Sequence, residues 1–394
     1  MAILAGNVPR VKVSQRWAVA ICLTLGLAYA FVVPAGLPYD EPSHWATVVY
    51  YAKHWSMPVL GHPGVTYEAQ MGPVAYYVDA VLVHAVSCVG GGQSAQLHAV
   101  RVLGVMELAA LVFVLMTMLR QLGVETRGTL CAAVVIAANP MLLTMSASVQ
   151  NDTLALLLAT ACLGRLVTAN RETTSGSAVV SGLLAGVAIL TKLTVWPVAA
   201  VGLVYICIRS GWRRAAGMAI AIAATCGWWL IRNQVVYGDA TARNAVRRAG
   251  VSFTSYHVHG VRGVGHLIEE VVTYLWLPTE YLRNEITAPT LLKALLLLVT
   301  IVVATLGVSE LLDPRRSVVT CTAALAAVVW LVTFVAVQAA AFRTAYLVLP
   351  AWGLMIAGAA SRTRHATAIV VTLMIGLNAW ALVAVSGVSW PSLV

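Results

Sequence analysis

Acid–base chemistry has few residues to draw on in this 394-residue chain, where charged side chains make up 10% against 60% hydrophobic. Two carboxylates stand side by side in Gly36-Leu37-Pro38-Tyr39-Asp40-Glu41-Pro42-Ser43-His44, and a third opens an apolar stretch in Asn151-Asp152-Thr153-Leu154. A carboxylate within hydrogen-bond reach of a hydroxyl can take its proton as the oxygen attacks. Asp40, Glu41 and Asp152 are therefore the candidate catalytic residues. The plainer role for Asp40 is a helix N-cap with Pro42 in the first turn, and Asp152 can cap in the same way. Lys192, Arg101 and Arg343 stand at ends of apolar stretches, and Arg247-Arg248 in a long loop. Cations there offset negative charge developing on a substrate, or snorkel to lipid headgroups.

The elements that must position these residues are membrane helices. Apolar stretches recur from Trp17 onward, a composition that fits a polytopic helical membrane protein and excludes a soluble domain. The expected fold is all-α, with about 11 transmembrane helices at 17–34, 100–120, 129–149, 153–169, 178–191, 193–208, 215–231, 290–308, 317–340, 345–360 and 366–388. Residues 1–394 are read as one membrane domain. No small-residue cleavage site leads from the first stretch into a soluble domain, so it reads as a retained helix. The seven cysteines have the spacing of neither a zinc site nor a disulfide framework.

The net charge of +10 would suit a nucleic-acid partner if the basic residues were clustered on a soluble surface. Instead they collect at helix ends, and no nucleic acid is expected. With the N-terminus in the cytoplasm, the inner ends gather Arg10, Lys12 and Arg16; Arg120 and Arg127; Arg165 and Arg171; Arg209, Arg213 and Arg214; Arg315 and Arg316; and Arg362 and Arg364. This parity holds if residues 73–89, which contain Asp79 and His84, lie on the outer surface as an interfacial helix. Residues 35–99 then form a first outer loop with two interfacial helices, and 232–289 a second; both are long enough to carry function.

The first of those helices is 41–56. Trp45, Val48, Val49, Ala52 and Trp55 make its apolar face at helical spacing, and His44, Thr47, Tyr51 and His54 its polar face, headed by Asp40. That polar face would look into a water-filled cleft, or simply be solvated.

Taken in order, the motifs resemble the GT-C membrane glycosyltransferases, which include protein O-mannosyltransferases and lipid A aminoarabinose transferases. The resemblance rests on Asp40-Glu41 before an amphipathic helix; Tyr67-Glu68-Ala69-Gln70-Met71-Gly72-Pro73-Val74-Ala75-Tyr76-Tyr77; Arg101 opening a span; Asn151-Asp152; Lys192 at a helix end; Trp229-Leu230-Ile231-Arg232-Asn233 with Tyr237-Gly238-Asp239; and Phe342-Arg343-Thr344-Ala345-Tyr346 before Leu349-Pro350. It implies an inverting transferase on the outer face of a bacterial plasma membrane. The donor would be a polyprenyl-phosphate sugar and the acceptor a hydroxyl. Asp40, Glu41 and Asp152 would be catalytic, and Arg343, Lys192, Arg101, Arg247 and Arg248 would hold the donor phosphate. His44, Glu68, Gln70, Tyr76 and Tyr346 would contact sugar or acceptor. No cofactor is required, and a divalent metal is left open; Glu68 with a loop histidine would be its counterpart here, although His257, His259 and His266 also read as solvated. The alternative is a flippase or transporter for a lipid-linked precursor, because charge within membranes also marks transport paths.

Overall fold

The computed structural model describes residues 13–169, 174–248, 260–337, 346–391 and 393–394. Among them every regular element is a helix. Helix α1 (Val13–Val32) leads to α2 (Glu41–His54) and α3 (Val74–Cys88), and then to the 29-residue α4 (Gln93–Gln121). At 1.5 Å per residue α4 is about 43 Å long, enough to join both ends of the molecule. The chain continues through α5 (Thr126–Ala137), α6 (Pro140–Ser146), α7 (Asp152–Ala169), α8 (Ser175–Thr191), α9 (Trp196–Ser210), α10 (Trp212–Ile222), α11 (Trp228–Tyr237) and α12 (Arg243–Arg248). It ends with α13 (Gly260–Trp276), α14 (Thr290–Gly307), α15 (Ser317–Val337), α16 (Leu349–Arg362) and α17 (Ala366–Ser386). Among the described residues the expected spans coincide largely with helix, but the count of eleven crossings is not confirmed. Seven of the described helices are long and apolar enough to cross a membrane, or eight if the α5–α6 pair is one span.

Three local causes shape the end of the bundle that carries Asp40. First, the 129–149 stretch is broken. Asn139 accepts the Leu142 N–H and Pro140 opens α6, so the chain restarts there with a 55° bend. Second, α4 begins seven residues before the expected position and takes in part of the expected first loop. Third, small residues let backbones meet. Gly104 lies on the Ser146 carbonyl and Gly72 on the Leu190 carbonyl, with no room for a Cβ at either. The Gly72 contact seats the chain before α3 against the end of α8.

Helix α4 packs on α1 and α7, α7 on α8, and α8 on α10. A second, smaller core sits under α2 and α3, built from Trp45, Val48, Tyr51, Tyr76, Leu97 and Val149. Most of the polar face of α2 is therefore not solvated: His44, Thr47 and Tyr51 are buried along with Trp45 and Val48, while His54 at its end and Trp55 on the expected apolar face are exposed.

The opposite end of the bundle collects the basic residues. Arg127 donates to the Thr363 and Arg364 carbonyls, and Arg316 and Arg362 both pair with Glu310. This charge separation generates a test of orientation. In a chain whose exposed Cys88, Cys207 and Cys321 are changed to serine, Gln96→Cys at one end of α4 is expected to react with a membrane-impermeant maleimide in intact cells. Gln121→Cys at the other end is expected to react only after permeabilisation. Labelling of position 121 from outside reverses the orientation.

Candidate functional site

The site is built around a buried ion pair. All five N–H donors of Arg101 are used inside the protein. Nε and Nη2 reach the two oxygens of Glu41 at 2.8 and 2.5 Å, Nη1 reaches the carbonyls of Ala30 (3.1 Å) and Val33 (2.7 Å), and Nη2 also reaches that of Pro34 (3.3 Å). Those carbonyls belong to the end of α1, where unpaired C=O groups favour a cation. Glu41 in turn accepts the N–H groups of Gly36 (2.8 Å) and Val149 (2.9 Å). Both side chains are fully buried. Of the expected catalytic acid Glu41 and the expected phosphate ligand Arg101, the structure shows the contacts: they bond each other, the end of α1 and the segment before Asp152.

Asp40, one residue earlier, faces the other way. It occupies the N-cap position of α2, yet its side chain makes no capping hydrogen bond. Its Oδ1 accepts from the Tyr67 hydroxyl at 2.8 Å. One turn on, His44 shares a 2.8 Å hydrogen bond between Nδ1 and the Tyr76 hydroxyl, and its Nε2 lies 3.7 Å from Glu68 Oε1. Glu68 is held in a short 3₁₀ turn, Tyr67–Gln70, begun by Thr66, whose hydroxyl accepts the Glu68 N–H and donates to the Ser43 carbonyl of α2. Ligand-type atoms of Asp40, His44 and Glu68 all lie within 4.8 Å of one another.

Asp152 opens α7, where the helix N-terminus favours a carboxylate, and its Oδ1 receives Lys192 Nζ at 2.6 Å from the residue just past α8. Glu68 Oε2 and Asp152 Oδ2 are buried acceptors without a hydrogen-bond donor. Burial drives the Glu68 carboxyl up to about 7, with Lys192 opposing and Asp152 adding to the rise. Burial, reinforced by the Lys192 cation, pushes His44 down to about 3, so its ring is neutral at pH 7. Two carboxylates, one of them with an oxygen that lacks a donor, and a neutral imidazole fit a divalent cation of the zinc class. A Tyr76 partner on Nδ1 would leave Nε2 for the ion.

A cavity of about 210 Å³ adjoins Lys192, lined among others by Gln70, Met71, Leu190, Leu193, Trp229 and Asn233. Its wall is braced by Arg232, which lies 4.6 Å over the Trp229 ring and donates to the Pro58 carbonyl at 2.7 Å.

The other expected contacts fall elsewhere. Arg247 and Arg248 are exposed on α12, and Arg248 donates to the Tyr237 carbonyl. Tyr346 is buried but gives its hydroxyl to the Tyr274 carbonyl. Arg343, His257 and His259 lie outside the described residues, as does the side chain of His266. Sequence reasoning quoted Tyr67 within a motif without assigning it a role, and it passed over Tyr281, whose hydroxyl bonds Ser148 at 2.7 Å.

No family model matches the sequence, and no curated protein does. Solved structures do. ArnT from Cupriavidus metallidurans, bound to undecaprenyl phosphate, superposes with a TM-score of 0.59 at 16% identity, over 94% of this chain and 64% of that one. The Archaeoglobus fulgidus oligosaccharyltransferase, in complex with Zn and sulfate, gives 0.56 at 12% identity over 95% and 54%. The Archaeoglobus fulgidus AglB, in complex with an inhibitory peptide and a dolichol-phosphate, gives 0.54 at 12% over 95% and 56%. This chain thus spans between about half and two thirds of the length of these structures, and it shares their GT-C-like all-helical membrane fold.

Two expectations follow from the geometry. Glu41→Gln leaves the Arg101 charge buried without its counter-ion, which typically costs about 3–5 kcal/mol. Thermal unfolding in detergent should show a large loss, and an unchanged midpoint would contradict the pairing. Glu68 has a folded pKa near 7, raised above its ordinary 4.5. The stability it contributes is thus full below about pH 4.5 and lost as pH rises through 7, by up to about 3 kcal/mol. In chelator-treated detergent solution the stability of Glu68→Gln minus that of the wild type should grow from pH 5 to pH 8. A gap independent of pH would contradict it.

Proposed function

We propose that the chain is a GT-C glycosyltransferase. It moves a sugar from a polyprenyl-phosphate carrier to an acceptor hydroxyl, with the Asp40 end of the bundle at the outer face of a bacterial plasma membrane and the N-terminus in the cytoplasm. The observation that carries this reading is the buried Asp40–His44–Glu68 cluster, which feels the Asp152–Lys192 ion pair, whose lysine lines a largely apolar cavity. A carrier with an anionic head and an isoprenoid tail needs that combination. Undecaprenyl phosphate and dolichol-phosphate bound in structures of the same fold support the donor class.

In this reading the cavity takes the first isoprene units, and Lys192 meets the phosphate at its polar end. The acceptor oxygen attacks the anomeric carbon, the bond from that carbon to the phosphate oxygen breaks, and the acceptor proton passes to Asp40. Tyr67 orients the Asp40 carboxylate by donating its hydroxyl to Oδ1. Lys192, with Arg343, offsets the charge gathering on the leaving phosphate, and Asp152 holds the Lys192 ammonium in place. A single displacement inverts the anomeric centre. A divalent cation, when bound, would be held by Asp40, His44 and Glu68 and would supply further positive charge to the phosphate.

A transporter without chemistry is the second reading. The acidic cluster at one end of the bundle disfavours it, because a transport path places such groups near the midplane. The test is turnover by purified protein given radiolabelled polyprenyl-phosphate sugars and membrane extract. Asp40→Asn keeps the shape of the side chain and should lower turnover by about 10²–10⁴-fold with little change in carrier binding. Near-normal turnover in Asp40→Asn, with loss in Asp152→Asn, would move the base to Asp152; no labelled product from any donor would favour transport.

A further inference from the structure

Two distant parts of the chain converge on the segment that leads into Asp40. Tyr39 donates its N–H to the Tyr281 carbonyl at 3.0 Å. Arg283 donates back twice, from Nε to the Leu37 carbonyl at 3.1 Å and from Nη2 to the Tyr39 carbonyl at 2.7 Å. Its guanidinium lies over two rings, Tyr39 at 5.3 Å and Trp390 at 5.6 Å. The Leu393 side chain closes over Gly36, which sits at φ +84°.

This arrangement is held against local strain. Arg283 and Asn284 are consecutive non-glycine residues in the left-handed region, at φ +56° and +59°, a conformation that side-chain-bearing residues adopt only at a cost. The turn is maintained by N–H bonds from Leu282, Arg283 and Asn284 to the carbonyls of Pro278, Glu280 and Thr279. An exposed arginine with no structural duty would not need this backbone. Arginine suits the position because its planar fork bonds two carbonyls while its faces stack on aromatic rings. Lysine keeps the charge but loses the fork and the stacking.

We propose that Arg283 is a positioning residue. The 277–284 segment acts as a strap that fixes the Tyr39 carbonyl, and through it the direction of the Asp40 carboxylate. The proposal rests on the reading of Asp40 as the base. A misplacement of about 1 Å at a reacting group can cost about 100-fold in rate, and nothing else bonds the Tyr39 main chain on this side among the described contacts.

Two measurements on the full chain in detergent test it, the first without any substrate. Hydrogen exchange of the Tyr39 amide should be at least about tenfold faster in Arg283→Ala than in the wild type, with Arg283→Lys between them. Unchanged exchange overturns the strap. The second measurement is turnover. Arg283→Ala should lower kcat by about 10- to 100-fold with donor KM within about twofold, and Arg283→Lys should fall part of the way. The double variant Asp40→Asn/Arg283→Ala should be no slower than Asp40→Asn alone, because the strap has nothing left to aim. Losses that multiply, or a loss confined to KM, overturn the positioning role. If Asp40→Asn itself turns over normally, the base reading fails and the positioning role fails with it. Accelerated exchange in Arg283→Ala would then still show the strap holding segment 36–40.

Discussion

The buried pairing of Glu41 with Arg101 is the interaction on which the rest of this end of the molecule depends. A charge in such a place is tolerable only when every donor and acceptor is matched, and here they are. The arginine satisfies the last carbonyls of α1 and the glutamate satisfies the N–H groups of Gly36 and Val149. One pair therefore fixes four pieces of chain: the end of α1, the start of α2, the first third of α4, and the segment that delivers Asp152. Helix α2 begins at Glu41, so anchoring that residue inward turns its neighbour Asp40 toward Tyr67.

The half of the site around Glu68 and Asp152 has the opposite character. It is deliberately undersatisfied. Glu68 and Asp152 each keep a buried oxygen without a donor, and Lys192 pairs with one Asp152 oxygen alone. Burial without full pairing leaves Glu68 near neutrality in its titration. Such a cluster is poised to accept something electropositive or proton-bearing, and the adjoining cavity supplies an approach from the apolar side. Rigid pairing behind and unmet demand in front is a workable division of labour between neighbouring residues in sequence.

Much of the fold was legible because apolar stretches in a membrane chain can hardly be anything but helix; among the described residues the expected spans coincide largely with helical segments. The Asn139-Pro140 restart was visible as a helix-start signal, yet within an apolar stretch it was passed over. The inward turn of His44, Thr47 and Tyr51 was not legible, because periodicity reports two faces of a helix and cannot say that the polar one will be covered by residues 66–77. The Glu41–Arg101 pair was hidden for a similar reason. Its partners are 60 residues apart, and each alone looks like a functional charge at a helix end. His44, Glu68, Tyr76, Asp152 and Lys192 were picked out individually from motif order, and the three-dimensional path of the chain brings them to one place. The candidates in the second loop fared differently. Arg247 and Arg248 carry no packing pattern that ties them to a site, and they are exposed.

The central claim is that the cavity beside Lys192, at the Asp40 end of the bundle, receives a polyprenyl phosphate. A photoreactive polyprenyl phosphate, with its label in the first isoprene units, tests this most directly when cross-linked to the purified protein and mapped by peptide mass spectrometry. The predicted adducts fall on 189–194 and 226–233, are competed by unlabelled polyprenyl phosphate, and are lost in Lys192→Ala. Adducts concentrated at the basic end, around Arg315 and Arg362, or spread evenly over the lipid-facing helices without competition, would contradict it.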